Sequence, residues 1–308
     1  MRAVGIVAAG GPEVLQIVDL PVPEPGPGEV RIRVSAATVN PTDIGIRQMG
    51  AGPGLPPPWV PGRELAGIVD EVGEGVALDL GLPVMAIVTP RRPQGGAKAE
   101  LVVVPADSVC AVPKGVSDVE AATLPMNGLT VRLALDRLGL ASGQVLGVAG
   151  AAGAVGGYAI ELGKLAGLRV VADAKPADEA LVRTLGADEV VPRGDDPGAA
   201  YRKAVPDGVD ALIDGALLDE RALGAVRDGG GLVTVRGWSG PSERGITVHP
   251  VLVSEYLHEG GKLAELAALV EHGKLTLRVA DTYPMERVAD AHRRLEAGGV
   301  RGRLVLTF

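Results

Sequence analysis

Six small residues, Ala151-Ala152-Gly153-Ala154-Val155-Gly156, follow a short apolar run at 145–148. After them Val155, Tyr158, Ala159, Leu162, Leu165 and Ala166 recur at helical spacing until Gly167 supplies a stop. A second apolar run at 169–172 ends at Asp173. Strand, turn, helix and strand in that order make a βαβ unit, and its turn is the GxGxxG fingerprint with Ala151 in the first glycine place. Gly153 would admit the backbone to a pyrophosphate, and Gly156 would let the helix pack closely on the sheet. The phosphates would lie at the helix start, around Ala154 and Val155, where unpaired N–H groups and the helix dipole favour negative charge. The chemistry implied is dinucleotide binding, and the flanking strands argue for it more strongly than the glycines alone.

Which dinucleotide depends on the end of the second strand. Asp173 would accept from a ribose 2′-OH and favours NAD(H), because a carboxylate repels a 2′-phosphate. Lys175 would pair with that phosphate and favours NADP(H). Taken singly, Lys175 also reads as solvated surface charge. Other polar residues have bland readings on their own. Asn40-Pro41-Thr42-Asp43 is an Asx turn with a solvated Asp43, and Thr130 is a helix-face hydroxyl bonded back to a carbonyl. His249 is a loop or packing residue, Tyr158 belongs to the helix core, and Cys110 is a buried, inert thiol.

The elements that must hold these residues can be read from pattern. Up to about residue 117 the chain is β structure: 31–35 alternates polar and apolar residues, and 84–88 and 101–104 are compact apolar runs, as in a small barrel or sandwich. Residues 50–58, with four prolines and three glycines, form a loop fit to border a cleft. Ser117 and Glu120 make a capping box, Pro125 breaks the helix that follows, and a second apolar-periodic run ends at Gly139. Pro176 opens a helix that stops at Gly186. Apolar runs at 189–191, 210–213 and 232–235 are each separated by a helix-length segment, which gives a doubly wound parallel sheet with right-handed crossovers. Residues 254–271 and 284–297 read as helices and 303–308 as a final strand. Periodicity does not say which domain that tail joins.

The chain has 308 residues, enough for two domains. Its net charge of -8, with four histidines and no long basic run, speaks against nucleic acid or an anionic membrane as partner. A single cysteine excludes an internal disulfide framework and a multi-cysteine zinc cluster. Residues 138–160 are uncharged and long enough to span a bilayer, but seven glycines and the strand-turn-helix pattern favour a soluble segment. The first residues lack a basic region followed by a long apolar core, so a cytoplasmic protein is expected.

Several stretches, in order and at fixed spacing, resemble a known family: PGPGEVRIRVSAATVNPTDI near the start, VPGRELAGIVDEVGEGV at 60–76, AATLPMNGLTVRLAL at 121–135, the AAGAVG turn, LGADEVV at 185–191 and VRGRLVLTF at the end. They are similar to the zinc-independent quinone oxidoreductase branch of the medium-chain dehydrogenase/reductase superfamily. The resemblance implies an α/β protein in which a GroES-like β-barrel substrate domain (1–119) is joined to a Rossmann dinucleotide-binding domain (120–257). A C-terminal tail (258–308) returns to the barrel, and the active cleft lies between domains. It also implies a homodimer formed through the Rossmann sheet edge, with 232–235 as the candidate edge strand.

The resemblance assigns roles as well. Zinc-dependent relatives carry a Cys where this chain has Asn40 and a His where it has Arg63. A guanidinium stays protonated and cannot ligate a metal, so no zinc is expected. In those relatives an acid at the place of Asp43 supports the metal-binding His; here Asp43 is expected to pair with Arg63. Thr130 resembles a threonine that lies near the nicotinamide. Family spacing puts Lys175 close to the ribose-reading position and Asp173 just before it, and Arg193 falls where relatives approach the phosphate, so NADP(H) is expected over NAD(H). Tyrosines that line the quinone cleft in some relatives are missing, with Ile46 in place of one. Arg301 and Arg303 would touch the cofactor phosphates or cap the last strand.

The implied activity is hydride transfer from NADPH to a small-molecule quinone or α,β-unsaturated carbonyl, with Asn40 and Arg63 stabilising the oxyanion. Two other readings share this fold: an enoyl-thioester reductase of polyketide type, and a non-catalytic NADPH-binding protein with a redox-sensing or structural task.

Overall fold

The computed structural model describes residues 1–241 and 243–308 and divides into two compact units, Met1–Met126 with Ser254–Phe308 and Asn127–Val253. All topology below refers to the described residues. In the first unit β1 (Arg2–Ile6) and β2 (Leu15–Asp19) form an antiparallel pair. β3 (Glu29–Val39) is the long strand of this unit and leads into α1 (Pro41–Met49). β4 (Glu64–Val72), β5 (Pro83–Ile87), β6 (Leu101–Pro105) and β7 (Val109–Ala111) follow.

Val30, Ile32 and Val34 alternate inward from β3, as a half-buried strand requires, whereas Ala36 to Val39 are buried without a break. The change follows a register shift between Val34 and Ala36 against β4. The end of β3 therefore lies under cover on both faces and delivers Thr38 and Asn40 into the interior.

A capping box of Ser117 and Glu120 starts α2 (Asp118–Ala121), and Pro125 opens α3 (Pro125–Leu138). The unit boundary falls within α3, later than the expected division near 120, and Met126 N donates to Glu64 Oε2 of the first unit.

The second unit holds β8 (Val145–Ala149), α4 (Ala154–Leu165), β9 (Arg169–Ala174), α5 (Glu179–Thr184), β10 (Glu189–Pro192), α6 (Pro197–Ala204), β11 (Val209–Asp214), β12 (Val226–Thr234) and β13 (Thr247–Pro250). Its sheet has the order β10-β9-β8-β11-β12-β13, and every neighbouring pair is parallel. This is a doubly wound sheet with the glycine-rich turn after its central strand β8. Two details depart from expectation. Between β11 and β12 there is a 3₁₀ stretch, Asp219–Ala225, in place of a helix. β13 covers β12, so 232–235 is not the edge strand. Its sequence, TVHP, has too little apolar alternation to announce a strand.

The tail forms α7 (Gly260–Glu271), β14 (Val279–Pro284), α8 (Val288–Glu296) and β15 (Arg303–Thr307). β15 runs antiparallel to β3 and parallel to β14, which settles the tail's place in the first unit. That unit regains the chain at Ser254 rather than 258, because Ser108 Oγ donates to Leu257 O and Gly260 packs on the backbone of β7, where a Cβ would stand 2.8 Å from Val109 O. No helix among the described residues is long and apolar enough to cross a membrane.

Candidate active site

In the first unit the residues expected to act on substrate meet at the junction of β3 and α1. Asp43, in the first turn of α1, is fully buried. Its Oδ2 accepts from Asn40 N at 2.9 Å and its Oδ1 from Gly62 N at 3.1 Å, so one carboxylate holds the backbone beside Asn40 and beside Arg63. Its counter-ion is Lys98, whose Nζ lies 2.6 Å from Oδ2 with both side chains at 0% exposure. Burial pushes the Asp43 carboxyl up, but Lys98, by charge and by hydrogen bond, and the bond from Asn40 N outweigh it and hold the group below the ordinary carboxylate range.

The expected pairing of Asp43 with Arg63 is therefore replaced. Arg63 donates from Nε to Thr42 Oγ1 at 3.2 Å, and burial lowers its pKa from the ordinary value, opposed by the charge of Asp43, which acts on it without a direct ion pair, and aided by Arg91. It keeps its charge, since guanidinium deprotonation lies far above neutrality.

Asn40 is more committed than its sequence context suggested. Its Nδ2 donates to Thr38 Oγ1 at 3.1 Å, its Oδ1 accepts from Arg303, and its surface is 0% exposed. Arg303 also donates to Thr38 Oγ1 and pairs with buried Glu64. This decides its role: it ties β15 to β3 and β4 inside the barrel. Asn40 is thus a fixed member of a buried polar network, and Arg63 is the half-buried cation next to it.

A third group, Arg47, His292 and Glu296, closes the other side of Lys98. Arg47 pairs with Glu296 at 2.6 Å, and the His292 ring nitrogens lie 3.3 Å from Arg47 and 3.5 Å from Lys98. Burial, then Lys98 and Arg47, lower the His292 pKa to about 3, so the ring is neutral. Lys98, Glu64 and His292 were not singled out by sequence, and Arg303 was read only toward the cofactor or the last strand, because a charged residue carries no local sign that its partner is up to 265 positions away.

In the second unit the turn between β8 and α4 has the expected form. A Cβ on Gly156 would stand 2.3 Å from Gly150 O, so only glycine permits this helix–strand approach. Gly150, not Ala151, makes the tight turn: its φ is 75°, and a Cβ there would meet the carbonyl carbon of Gly215 at 2.8 Å. Gly150 precedes the matched fingerprint by one residue and was not read as part of it. α4 begins at Ala154 after Gly153 with no side-chain cap and no acidic residue in its first turn. The N–H groups of Ala154, Val155 and Gly156 are left to an anion.

Asp173 serves this turn. Its Oδ1 accepts from Gly150 N at 2.7 Å and Ala151 N at 3.1 Å, it is 6% exposed, and burial raises its pKa from the ordinary value. Oδ1 therefore holds the glycine turn, a role that the sequence did not show. Arg193 lies 3.9 Å from Asp173 Oδ2 with its side chain 42% exposed, and Lys175, two residues on, is exposed. Thr130 is buried on α3. The glycine turn fits a dinucleotide pyrophosphate, and Lys175 and Arg193 supply positive charge beyond the strand that would carry its ribose.

The same test goes against a metal at Asn40 and Arg63. The Asn40 amide oxygen already accepts from a guanidinium, Arg63 is itself a cation, and no cluster of three His, Cys, Asp or Glu suited to a metal occurs among the described residues. Cys110 stands apart on β7, buried, with its thiol pushed up to about 11 by burial.

Residues 26–114 match the alcohol dehydrogenase GroES-like domain, and residues 185–306 match the family described as zinc-binding dehydrogenase. The chain is 31% identical over 308 residues to the NADPH-dependent alkenal/one oxidoreductase, chloroplastic, of Arabidopsis thaliana, covering 96% of this chain and 77% of that protein. Among solved structures it is similar to an NAD-dependent alcohol dehydrogenase, with 34% identity, a TM-score of 0.89 and all of both chains covered. It is also similar to the quinone oxidoreductase from Coxiella burnetii, with 28% identity, a TM-score of 0.85, and 100% of this chain and 99% of that one covered.

Proposed function

The chain belongs to the quinone-oxidoreductase-like members of the medium-chain dehydrogenase/reductase superfamily, and from that premise we propose that it is a zinc-independent, NADPH-dependent reductase of quinones or α,β-unsaturated carbonyls. The observation that carries the reading is the uncapped start of α4, glycine-walled at Gly150 and Gly156, with Lys175 and Arg193 beyond it. Ala154, Val155 and Gly156 would hold the pyrophosphate, Thr130 would lie toward the nicotinamide, and Lys175 and Arg193 would bind the 2′-phosphate. Bound NADPH would supply the hydride.

The rest falls to the protein's own groups. Arg63 would donate to the acceptor's carbonyl oxygen and stabilise the negative charge that develops there. Such a donor is worth roughly 3 kcal/mol, about a hundredfold in rate. Asp43, through Gly62 N and Asn40 N, would keep Arg63 and the end of β3 in place. Asn40 would act by holding Arg303 and Thr38 rather than as a mobile donor. The proton that completes the reduction would come from solvent, since His292 is buried and neutral. The relevant form would be a cytoplasmic homodimer joined through the outer strand β13.

The test is NADPH oxidation, followed by absorbance, with one quinone, one simple enone and one enoyl thioester, each with and without a chelator. Chelator-insensitive turnover of the quinone or the enone supports the reading. Turnover of the thioester alone makes the protein an enoyl-thioester reductase. Tight NADPH binding without turnover of any acceptor makes it a non-catalytic nucleotide-binding protein.

A further inference from the structure

The loop 50–60 and the loop after β5 border a cavity of about 340 Å³, open to solvent along the exposed Pro56, Pro57, Pro58 and Pro93, that includes none of Asn40, Asp43 and Arg63. Small-molecule sites span about 300–1,000 Å³ and combine apolar walls with few polar groups. This cavity has that character. Leu20, Leu55 and Trp59 form its apolar walls together with Pro56, Pro57, Pro58, Pro90 and Pro93. Proline offers no N–H and fixes φ, so these walls carry few donors and are stiff before any ligand arrives. Trp59 spends its one polar atom on Leu55 O, at 2.7 Å, and turns an apolar ring to the space.

Arg92 is the one charged residue among the described residues that line it. Its Nε donates to Gly95 O at 2.8 Å, whereas Nη2 is buried and has no hydrogen-bond partner. Burial lowers its pKa to about 10, with only partial compensation from Glu29. A guanidinium so placed is costly unless something anionic meets it. Among the described residues Arg92 forms no ion pair, and the residues proposed for hydride transfer do not line this cavity.

We infer that this cavity is a second ligand site, for an apolar monocarboxylate whose carboxylate pairs with Arg92 and whose aryl or alkyl body packs against Trp59 and the proline walls. One cation beside apolar walls selects a single negative charge, since a dianion would bring a second charge that no lining residue pairs. Nη2 is closed to a molecule the size of water, so the carboxylate would meet the guanidinium at Nη1 through a charge-assisted hydrogen bond. Gln94, exposed at the cavity wall, adds an amide for the same oxygens.

The experiment uses the full chain in a Trp238→Phe background, which leaves Trp59 as the sole fluorophore of its kind because the chain has two tryptophans. Phenylacetate and octanoate are titrated beside their neutral amides, and binding is confirmed by calorimetry. Saturable one-to-one binding of a carboxylate, at least tenfold tighter than that of its amide, is the expected result; which of the two binds more tightly tells an aryl from an alkyl ligand. Arg92→Gln should weaken carboxylate binding at least tenfold and leave NADPH binding unchanged. Gln94→Glu, at an exposed position, supplies the missing anion from the chain itself and should abolish binding while raising the melting temperature. Failure of both acids to saturate the parent protein overturns the inference. So does equal binding of acid and amide, or unchanged affinity in Arg92→Gln and Gln94→Glu.

Discussion

Lys98 Nζ stands 2.6 Å from Asp43 Oδ2 with no solvent contact on either side chain. The same carboxylate binds the backbone N–H groups of Asn40 and Gly62, so the pair fixes the backbone on either side of the proposed substrate residues Asn40 and Arg63. Removing one charge of a buried pair leaves the other uncompensated, at a cost of about 3–5 kcal/mol. Lys98→Met should therefore lower unfolding free energy in urea by about that amount, whereas the double change Lys98→Met with Asp43→Asn should cost clearly less. Equal losses in the single and double variants would separate Lys98 from Asp43.

His292 makes stability depend on pH. Its pKa falls from 6.5 in the ordinary state to about 3 in the fold. Between those values the unfolded chain binds the proton and the folded one does not, so stability is full above about 6.5 and declines as pH falls toward 3. Asp43 also has a lowered pKa, but its contribution fades only below its unfolded value of about 3.9. Unfolding measured from pH 7 to about 4.5 should show this slope in the parent and a flatter one in His292→Gln.

Arg63→Ala should reduce turnover about a hundredfold and leave the Michaelis constant for NADPH almost unchanged, because the guanidinium would act on the acceptor and not on the nucleotide. Steady-state kinetics with a quinone or an enone decides it. Parent-like turnover in the variant places Arg63 outside the site.

Lys175→Glu and Arg193→Glu should each raise the Michaelis constant for NADPH more than that for NADH, since a 2′-phosphate meets the new carboxylate and a 2′-hydroxyl does not. An equal response with both cofactors would assign the 2′-phosphate to other residues.

Gly156→Ala should weaken binding of both cofactors alike, because its Cβ would fall 2.3 Å from Gly150 O and force the turn apart. Calorimetric titration with NADPH and NADH reads this directly, and parent affinities in the variant would show that the turn relaxes at no cost.

Sequence by itself determined the βαβ unit around Gly153 and Gly156, the stops at Gly167 and Gly186, the capping box at Ser117, and through quoted stretches such as AATLPMNGLTVRLAL the family. All of these rest on local chemistry: hydrophobic period, glycine's conformational range and the capping of free N–H groups act over a few neighbouring residues. Tertiary structure decided the rest. It assigned Asp43 to Lys98 rather than Arg63, turned Asp173 onto the glycine turn, put Arg303 on Glu64, and laid β13 over an expected edge. The reason is that a buried charge, a hydrogen-bonded carboxylate and a short polar edge strand take their meaning from partners remote in sequence, and desolvation, which selects those partners, exists only once the chain has folded around them.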